Sequence, residues 1–198
     1  IVLHWHAGDR NAASPSTSMA NRSAKFRFHG YSAHAAGAPE KGRSSLDAVE
    51  AMNHMANLMR EHIPDGSRIH YVITKGGNAP NVVPDYAEVF YYVRNHNVDI
   101  LENIWSRLIK TAEGAALGTE TRLEYEIING NRPDLANEAA QRIMYDNLKK
   151  IGGVTYNKNE MKFAKQIYKT LRNPDLDLSS SSEIQAYKFT KGKGSTDV

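Results

Sequence analysis

The sequence predicts an α+β fold in which a ferredoxin-like β-α-β-β-α-β unit precedes two further helices. Between residues 23 and about 130, four segments have the residue pattern of strands, and two segments repeat apolar residues at helical spacing. Their order is the split-βαβ order, in which two helices cover one face of a four-stranded antiparallel sheet. From Pro133 onward only helical periodicity recurs. We therefore expect one small mixed domain followed by helices of a second domain.

The first strand and helix follow from residues 25–29 and from a cap at Ser44. Residues 25–29 alternate polar and apolar side chains, which indicates a half-buried strand. Ser44 and Asp47 form a capping signature that starts a helix, and residues 64–66 end it with a Pro-Asp-Gly turn. The buried stripe of this helix is predicted at Leu46, Val49, Met52, Met55, Ala56 and Met59.

Three more strands and one helix complete the predicted unit. Strands are expected over residues 68–74, 86–94 and 122–128, and the helix between the last two begins after Asn97 and ends at Gly118. Alternation places Ala87, Val89, Tyr91 and Val93 on one face of its strand. The apolar stripe of the helix consists of Ile100, Leu101, Ile104, Leu108, Ile109 and Ala112.

The two ends of the chain look like parts of another domain. Residues 1–6 read as a buried strand and residues 7–20 as a loop, whereas the later helices end at Gly152 and at Asn173. The second of these helices is predicted to start at Asn159, and little regular structure is expected after residue 175. We divide the chain into a strand and loop (1–20), the ferredoxin-like unit (21–132) and the helical remainder (133–198).

Composition excludes several classes of protein. The 25 Lys and Arg residues against 22 Asp and Glu give a net charge of +3, spread along the chain without the concentrated patch of a nucleic-acid site. No apolar run approaches the roughly 20 residues of a membrane span. The absence of cysteine excludes disulfides and Cys-ligated metals and is compatible with a cytoplasmic location.

Histidines are the first candidates for chemistry. His4 and His6 stand two apart in the first predicted strand and so share a face, yet one strand supplies too few ligands for a metal site. His34 lies among small residues that would let a substrate approach its ring. The alternatives are a solvated histidine pair and an exposed loop histidine.

Arg94 and the glycine-rich segment near Gly76 are weaker candidates. Arg94 ends a strand beside Tyr92 and could hold a carboxylate, or it could be an ordinary surface arginine. The segment at Gly76 lies between strands and does not precede a helix, which disfavours phosphate binding. Residues alone thus leave open a free-standing ferredoxin-like ligand-binding or regulatory domain. An RNA-binding sheet would need an RNP1-like pattern, which none of the four strands carries.

Several segments together resemble metallopeptidase family 20, the aminoacylase and carboxypeptidase group of dinuclear amidohydrolases. Residues 28–36 (FHGYSAHAA) and 42–48 (GRSSLDA) are similar to the opening of its lid domain. Residues 76–89 (GGNAPNVVPDYAEV), followed by Val93 and Arg94, are similar to its second lid motif.

The resemblance implies a fragment of a metal-dependent amidohydrolase that acts as its lid and dimerisation module. The full-length enzyme would hydrolyse the amide bond of an N-acyl or p-aminobenzoyl amino acid, with glutamate the expected amino acid. It would hold two divalent metal ions, zinc or manganese. Of their ligands this chain would carry His6, with His4 as the backup. The fragment alone is expected to hold no metal and to be inactive.

The resemblance also assigns roles within the lid. His34 would donate a hydrogen bond to the oxygen that becomes negative, and Asn81 and Arg94 would hold the free carboxylate of a small-molecule amide substrate. A homodimer through the lid is expected, with no nucleic-acid partner and no membrane.

Overall fold

The computed structural model describes Trp5 and residues 10–13, 17–172 and 178–188. The described residues divide into two compact units, one formed by residues 18–134 and the other by the described residues before 18 and after 134. Apart from Trp5, the strand predicted over residues 1–6 lies outside the described residues.

Residues 18–134 form the predicted ferredoxin-like sheet with two helices. The elements are β1 (Ala20–His29), α1 (Ser45–Met59), β2 (Arg68–Lys75), β3 (Tyr86–Asn95), α2 (Val98–Thr119) and β4 (Arg122–Asn131). The four strands pair antiparallel in the order β2-β3-β1-β4, so that β1 and β3 are central. This confirms the predicted α+β fold and its strand count.

Helix α1 begins where its cap predicts. The Ser44 side chain accepts a hydrogen bond from the Asp47 amide, which satisfies one of the free donors of the first turn. The helix ends at Met59 and continues as a short 3-10 turn (Arg60–His62), before the predicted Pro-Asp-Gly turn. Its buried residues include Ala48, Val49, Met52, Ala56 and Met59.

Helix α2 ends later than predicted. Asn97 caps its start by accepting hydrogen bonds from the amides of Asp99 and Ile100. Gly118 was expected to terminate it, and this was wrong: the helix runs through Gly118, and Glu120 adopts the left-handed conformation with φ 53°. The amides of Glu120 and of Thr121 donate to carbonyls of the last turn, and these bonds accommodate a non-glycine residue in a conformation that costs about 1 kcal/mol.

The core lies between the sheet and the two helices. Phe26 of β1 packs edge-on against Tyr91 of β3, with ring centroids 5.8 Å apart, and also contacts Trp105 of α2. The buried Tyr91 hydroxyl donates to the Asn53 side chain of α1 at 2.6 Å, so this polar atom at the centre of the core is satisfied. The predicted inward face of β3 is confirmed, since Ala87, Val89, Tyr91 and Val93 are fully buried.

A charge cluster centred on Glu88 occupies the other face of the sheet. Its carboxylate accepts hydrogen bonds from Arg27 of β1 at 2.8 Å and from Thr74 of β2 at 2.7 Å, and Lys25 lies 3.5 Å away. Burial raises the pKa of Glu88, but the hydrogen bonds from Arg27 and Thr74 outweigh it and hold this pKa at about 2. Arg27 also donates to Glu126 of β4 at 2.6 Å, so the cluster joins all four strands.

The second unit contains two short helices. Asn137 caps α3 (Glu138–Ile151), and Gly152 ends it with φ 83°, as predicted. Helix α4 (Lys158–Tyr168) starts after Asn157, two residues before the predicted Asn159, because Asn157 and Glu160 form a capping box. Apolar residues in and next to these helices remain largely exposed among the described residues, including Leu135, Ile143, Ile151, Phe163, Ile167 and Leu171.

The rest of the described second unit is short. A 3-10 segment (Leu178–Ser182) is the only helical element described after residue 175. Within the described parts of the chain, no helix combines the length and the apolar character that a membrane span requires.

The Glu88 cluster predicts a specific acid sensitivity. Because the pKa of Glu88 in the fold lies below its ordinary value of 4.5, the cluster stabilises the fold fully above about pH 4.5. That stabilisation, up to about 3 kcal/mol, is lost as the pH falls towards 2. Urea unfolding between pH 2 and 5 should show a shallower pH dependence for Glu88→Gln than for the parent. Glu113→Gln, at an exposed position on α2, is the matched control and should keep the parental slope. Equal slopes for all three proteins would contradict the assignment.

Candidate functional site

The loop that carries His34 is held against the β2–β3 connection by main-chain hydrogen bonds. Ala35 donates its amide to the Asn81 carbonyl at 3.0 Å, and Val83 donates to the Ala33 carbonyl at 2.9 Å. His34 and Val82 therefore face each other as an isolated antiparallel bridge. The loop needs no side-chain contact to keep this position.

Two glycines make this close approach of main chains possible. A Cβ at Gly30 would lie 1.9 Å from the Arg43 carbonyl oxygen, and one at Gly42 would lie 2.9 Å from a Val83 methyl group. Tyr31 and Arg43 exchange two main-chain hydrogen bonds of 2.9 Å at the same place. A side chain at Gly30 is thus incompatible with the pairing that positions the His34 loop.

The His34 side chain is exposed at the end of the sheet. Its Nδ1 atom accepts hydrogen bonds from the main-chain amides of Gly37 at 3.0 Å and Ala36 at 3.2 Å. Asn81 is also exposed, and its main chain pairs with the residue next to His34. The structure therefore brings two of the predicted site residues, His34 and Asn81, to one place.

Arg94 lies at the opposite end of the sheet. In the β1–β3 register Arg94 pairs with Asn21, whereas Tyr86, at the start of β3, pairs with His29. Eight residues of extended strand span about 26 Å, so Arg94 is far from the His34 loop. Its side chain is buried, and its guanidinium lies over the Tyr92 ring, 5.4 Å from the centroid. Arg94 therefore has the aromatic neighbour that the sequence predicted, but it is not the ordinary surface arginine of the alternative interpretation.

The metal ligands expected from the sequence cannot be located in the described structure. His6 and its backup His4 both lie outside the described residues. Across residues 10–13, 17–172 and 178–188, no group of three or more His, Asp or Glu side chains is arranged to hold a metal ion. The described part of this chain therefore does not fit a dinuclear metal centre by itself.

Sequence reasoning missed the polar groups that surround the candidate residues. The main-chain amides of Ala36 and Gly37 cannot be recognised from residue types. The small residues that follow His34 are nevertheless compatible with a turn that folds back on the His34 ring. Glu88 was not singled out because a lone glutamate in a strand pattern gives no indication of its partners in neighbouring strands.

Comparison with known proteins identifies the fold. Residues 20–120, just over half of the chain, match the family model described as the peptidase dimerisation domain. The chain belongs to this family, the dimerisation domains of metallopeptidase family 20. The matched residues cover both helices and strands β1, β2 and β3, whereas β4 follows the match. The family resemblance read from residues 28–48 and 76–94 is confirmed.

Curated relatives of this family 20 chain are peptidases and amidohydrolases by name. A p-aminobenzoyl-glutamate hydrolase subunit of Escherichia coli (strain K12) is 41% identical over 193 residues, which cover 97% of this chain and 40% of the relative. The Xaa-Arg dipeptidase of Homo sapiens is 27% identical over 156 residues, 77% of this chain and 35% of the relative. The chain thus spans well under half the length of these relatives.

Solved structures agree with this assignment. An aminobenzoyl-glutamate utilization protein from Klebsiella pneumoniae is 25% identical, with a TM-score of 0.54, over 71% of this chain and 37% of that one. An amidase of the hydantoinase/carbamoylase family from Burkholderia vietnamiensis is 16% identical, with a TM-score of 0.61, over 71% and 34% of the two chains. The second likeness supports the fold alone.

The close approach at Gly30 predicts a large cost for a single methyl group. Gly30→Ala should lower the free energy of unfolding by about 2–3 kcal/mol, because the Arg43 carbonyl must move to admit the Cβ. Gly118→Ala is the matched control: it lies in α2 with open space around it, and it should raise the free energy of unfolding by about 0.5–1 kcal/mol. Urea unfolding of both variants measures this. A Gly30→Ala variant as stable as the parent would show that the loop pairing is not as described.

Proposed function

We propose that this chain is the lid and dimerisation part of a metal-dependent amidohydrolase. Its full-length form would cleave the amide bond of p-aminobenzoyl-glutamate or of a related N-acyl amino acid. The 41% identity to a p-aminobenzoyl-glutamate hydrolase subunit over nearly the whole chain supports the substrate class. The observation that carries the proposal is the position of His34 and Asn81 at one end of the sheet, where His34 pairs with Val82 and the Ala35 amide donates to the Asn81 carbonyl.

The position of that pair supports action on a neighbouring subunit. The chain enters the sheet at Ala20 and leaves it at Asn131, and Asn21 pairs with Asn131, so both crossings lie at one end. Strand β1 has ten residues, so His34 lies about 30 Å away at the other end. The lid is connected to the rest of the chain at the first end, so His34 lies far from both connections. We propose that His34 serves the site of the partner subunit.

The proposed chemistry uses the donors of the exposed loop. Hydrolysis of an amide builds negative charge on the carbonyl oxygen, and a donor placed in advance stabilises that charge more than it stabilises the substrate. His34 would supply this donor through an imidazole N–H. The Asn81 amide would donate to the free carboxylate of the substrate, which fixes the position of the scissile bond.

Arg94 and His34 of the same lid would act in different catalytic sites. A separation of about 26 Å prevents one lid from placing both side chains on a single small substrate. We propose that Arg94 holds the substrate carboxylate in the site that the His34 of the same lid does not reach. Its planar guanidinium suits bidentate binding of a carboxylate.

The remaining parts of the site would come from the rest of the full-length protein. Two divalent ions, zinc or manganese, would be bound mainly by ligands beyond this chain, with His6, or His4 as backup, contributed from within it. The 198 residues alone would therefore hydrolyse no amide. We propose residues 21–132 as the lid, and residues 1–20 and 133–198 as parts of the catalytic domain. A cytoplasmic location belongs to the same proposal.

A homodimer through the lid is the proposed assembly. Strands β2 and β4 are the edges of the sheet, and each carries exposed apolar residues, Val72 on β2 and Ile127 on β4 among them. An edge with unpaired main-chain groups readily adds a strand from a second copy. The E. coli relative is named as a subunit, so assembly with a different chain is the alternative.

Replacement of His34 tests the proposed catalytic role. In the full-length enzyme, His34→Ala should lower kcat roughly 10²–10³-fold, while KM changes much less, because the hydrogen bond strengthens mainly in the transition state. His62→Ala removes another exposed histidine, outside the loop, and is the matched control. A kcat for His34→Ala within about threefold of the parent would refute the role. Mixing His34→Ala with a variant that lacks metal ligands should restore activity through heterodimers if the histidine acts on its partner.

Light scattering tests the assembly. The purified chain at micromolar concentration should have twice the monomer mass of 22.1 kDa. Val72→Lys and Ile127→Lys each place a charge on one edge strand, and the edge that forms the dimer is the one whose variant becomes monomeric. A folded parent chain that is monomeric would contradict the homodimer.

A further inference from the structure

We propose that the main-chain amides of Ala36 and Gly37 fix the His34 imidazole in the tautomer that carries its proton on Nε2. The Nε2–H group would then be the donor that His34 presents to the substrate. This inference deepens the proposed function, and rests on it for its catalytic consequence, but the tautomer itself follows from the geometry of the loop.

The two hydrogen bonds to Nδ1 leave one assignment. Nδ1 lies 3.0 Å from the amide nitrogen of Gly37 and 3.2 Å from that of Ala36. A main-chain N–H can only donate, so Nδ1 must use its lone pair to accept both bonds. A neutral imidazole carries a single proton, which must then be on Nε2. Across the described part of the chain, no residue forms a hydrogen bond with Nε2 of His34.

The turn that follows His34 holds these amides in place. The amides of Gly37 and Ala38 also donate to the His34 carbonyl, at 3.2 and 3.0 Å, and the Ala35 amide is bound to Asn81. The ring and the main chain of His34 are thus both tied to the same turn. Its orientation is set before any substrate arrives, which is the condition for a donor that costs no reorganisation during the reaction.

Glycine at position 37 makes the short contact with the ring possible. A Cβ at Gly37 would lie 3.3 Å from Nδ1 and 3.6 Å from Cγ of His34. The first of these distances is tighter than ordinary van der Waals contact, so a methyl group there would shift the imidazole by a few tenths of an ångström and lengthen its hydrogen bonds to the amides. We therefore assign Gly37 as a positioning residue for His34.

The tautomer decides whether His34 can do its proposed work. With the proton on Nδ1, the exposed nitrogen would present a lone pair to the substrate oxygen, and two lone pairs repel. With the proton on Nε2, the same atom donates a hydrogen bond to that oxygen. The two amides thus convert an exposed loop histidine into a donor of fixed direction.

Nuclear magnetic resonance of the 198-residue chain tests the tautomer directly. In nitrogen-15-labelled protein, at a pH where imidazoles are neutral, a scalar coupling across the N–H···N bond should connect His34 Nδ1 with the Gly37 or Ala36 amide nitrogen. Nδ1 should resonate as an unprotonated nitrogen and Nε2 as a protonated one. Absence of the coupling, or a protonated Nδ1, would overturn the inference whatever the activity of the enzyme.

Two loop variants test the positioning role. In the full-length enzyme, Gly37→Ala should lower kcat about tenfold with KM within about twofold, and in the chain it should weaken the coupling to Nδ1. Ser32→Ala alters an exposed residue of the same loop outside this turn, and it should keep both coupling and kcat. A Gly37→Ala variant with parental coupling and kcat would refute the role of Gly37. If the parent shows the coupling but His34→Ala keeps the parental kcat, the proposed function is refuted and the assignment of the tautomer still holds.

Discussion

The antiparallel pairing of β1 with β3 is the constraint on which the rest of the structure depends. The register extends over ten residue pairs, from Ala20 opposite Asn95 to His29 opposite Tyr86. Antiparallel pairing places the end of β1 beside the start of β3. The segments that follow one strand and precede the other must therefore meet, although about 45 residues separate them in sequence. The contact between the His34 loop and Asn81 is a consequence of this pairing.

The same pairing separates the two faces of the sheet. Phe26 and Tyr91 face the helices and are fully buried. Arg27 of β1 and Glu88 of β3 are direct partners in the register, and they face the other side of the sheet. A buried carboxylate is costly unless it is paired and hydrogen-bonded. Glu88 meets this condition because strands β1 and β2 both place partners beside it. The register thus determines both the apolar core and the charge cluster.

The sequence predicted the helices and strands whose bounds depend on local patterns. It failed for features that depend on contacts between residues far apart in the chain. Caps at Ser44 and Asn97 and the alternation along β3 predicted the elements well, because their causes lie within a few residues. The prediction that α2 ends at Gly118 was wrong because a helix ends where its last carbonyls find donors. Here the amides of Glu120 and Thr121 are those donors. The separation of Arg94 from His34 could not be read from spacing. Likewise, residues 28–48 and 76–94 suggested a lid, but only the fold shows which residues of the two segments lie together.

The candidate site is built mainly from main-chain groups, and this explains which substitutions should matter. Neither the contact between the loops nor the orientation of the His34 ring uses a side-chain partner. Most side chains of the loop could then change without moving the imidazole. Glycines are different: at Gly30 a methyl group meets a carbonyl, and at Gly37 it meets the ring. His34 lies about 30 Å from the end where the lid is attached, so its position must be fixed locally. Main-chain hydrogen bonds between the two loops fix it with less conformational freedom than contacts between long side chains would leave. Placement of His34 is thus a property of the backbone that the central strand pair creates.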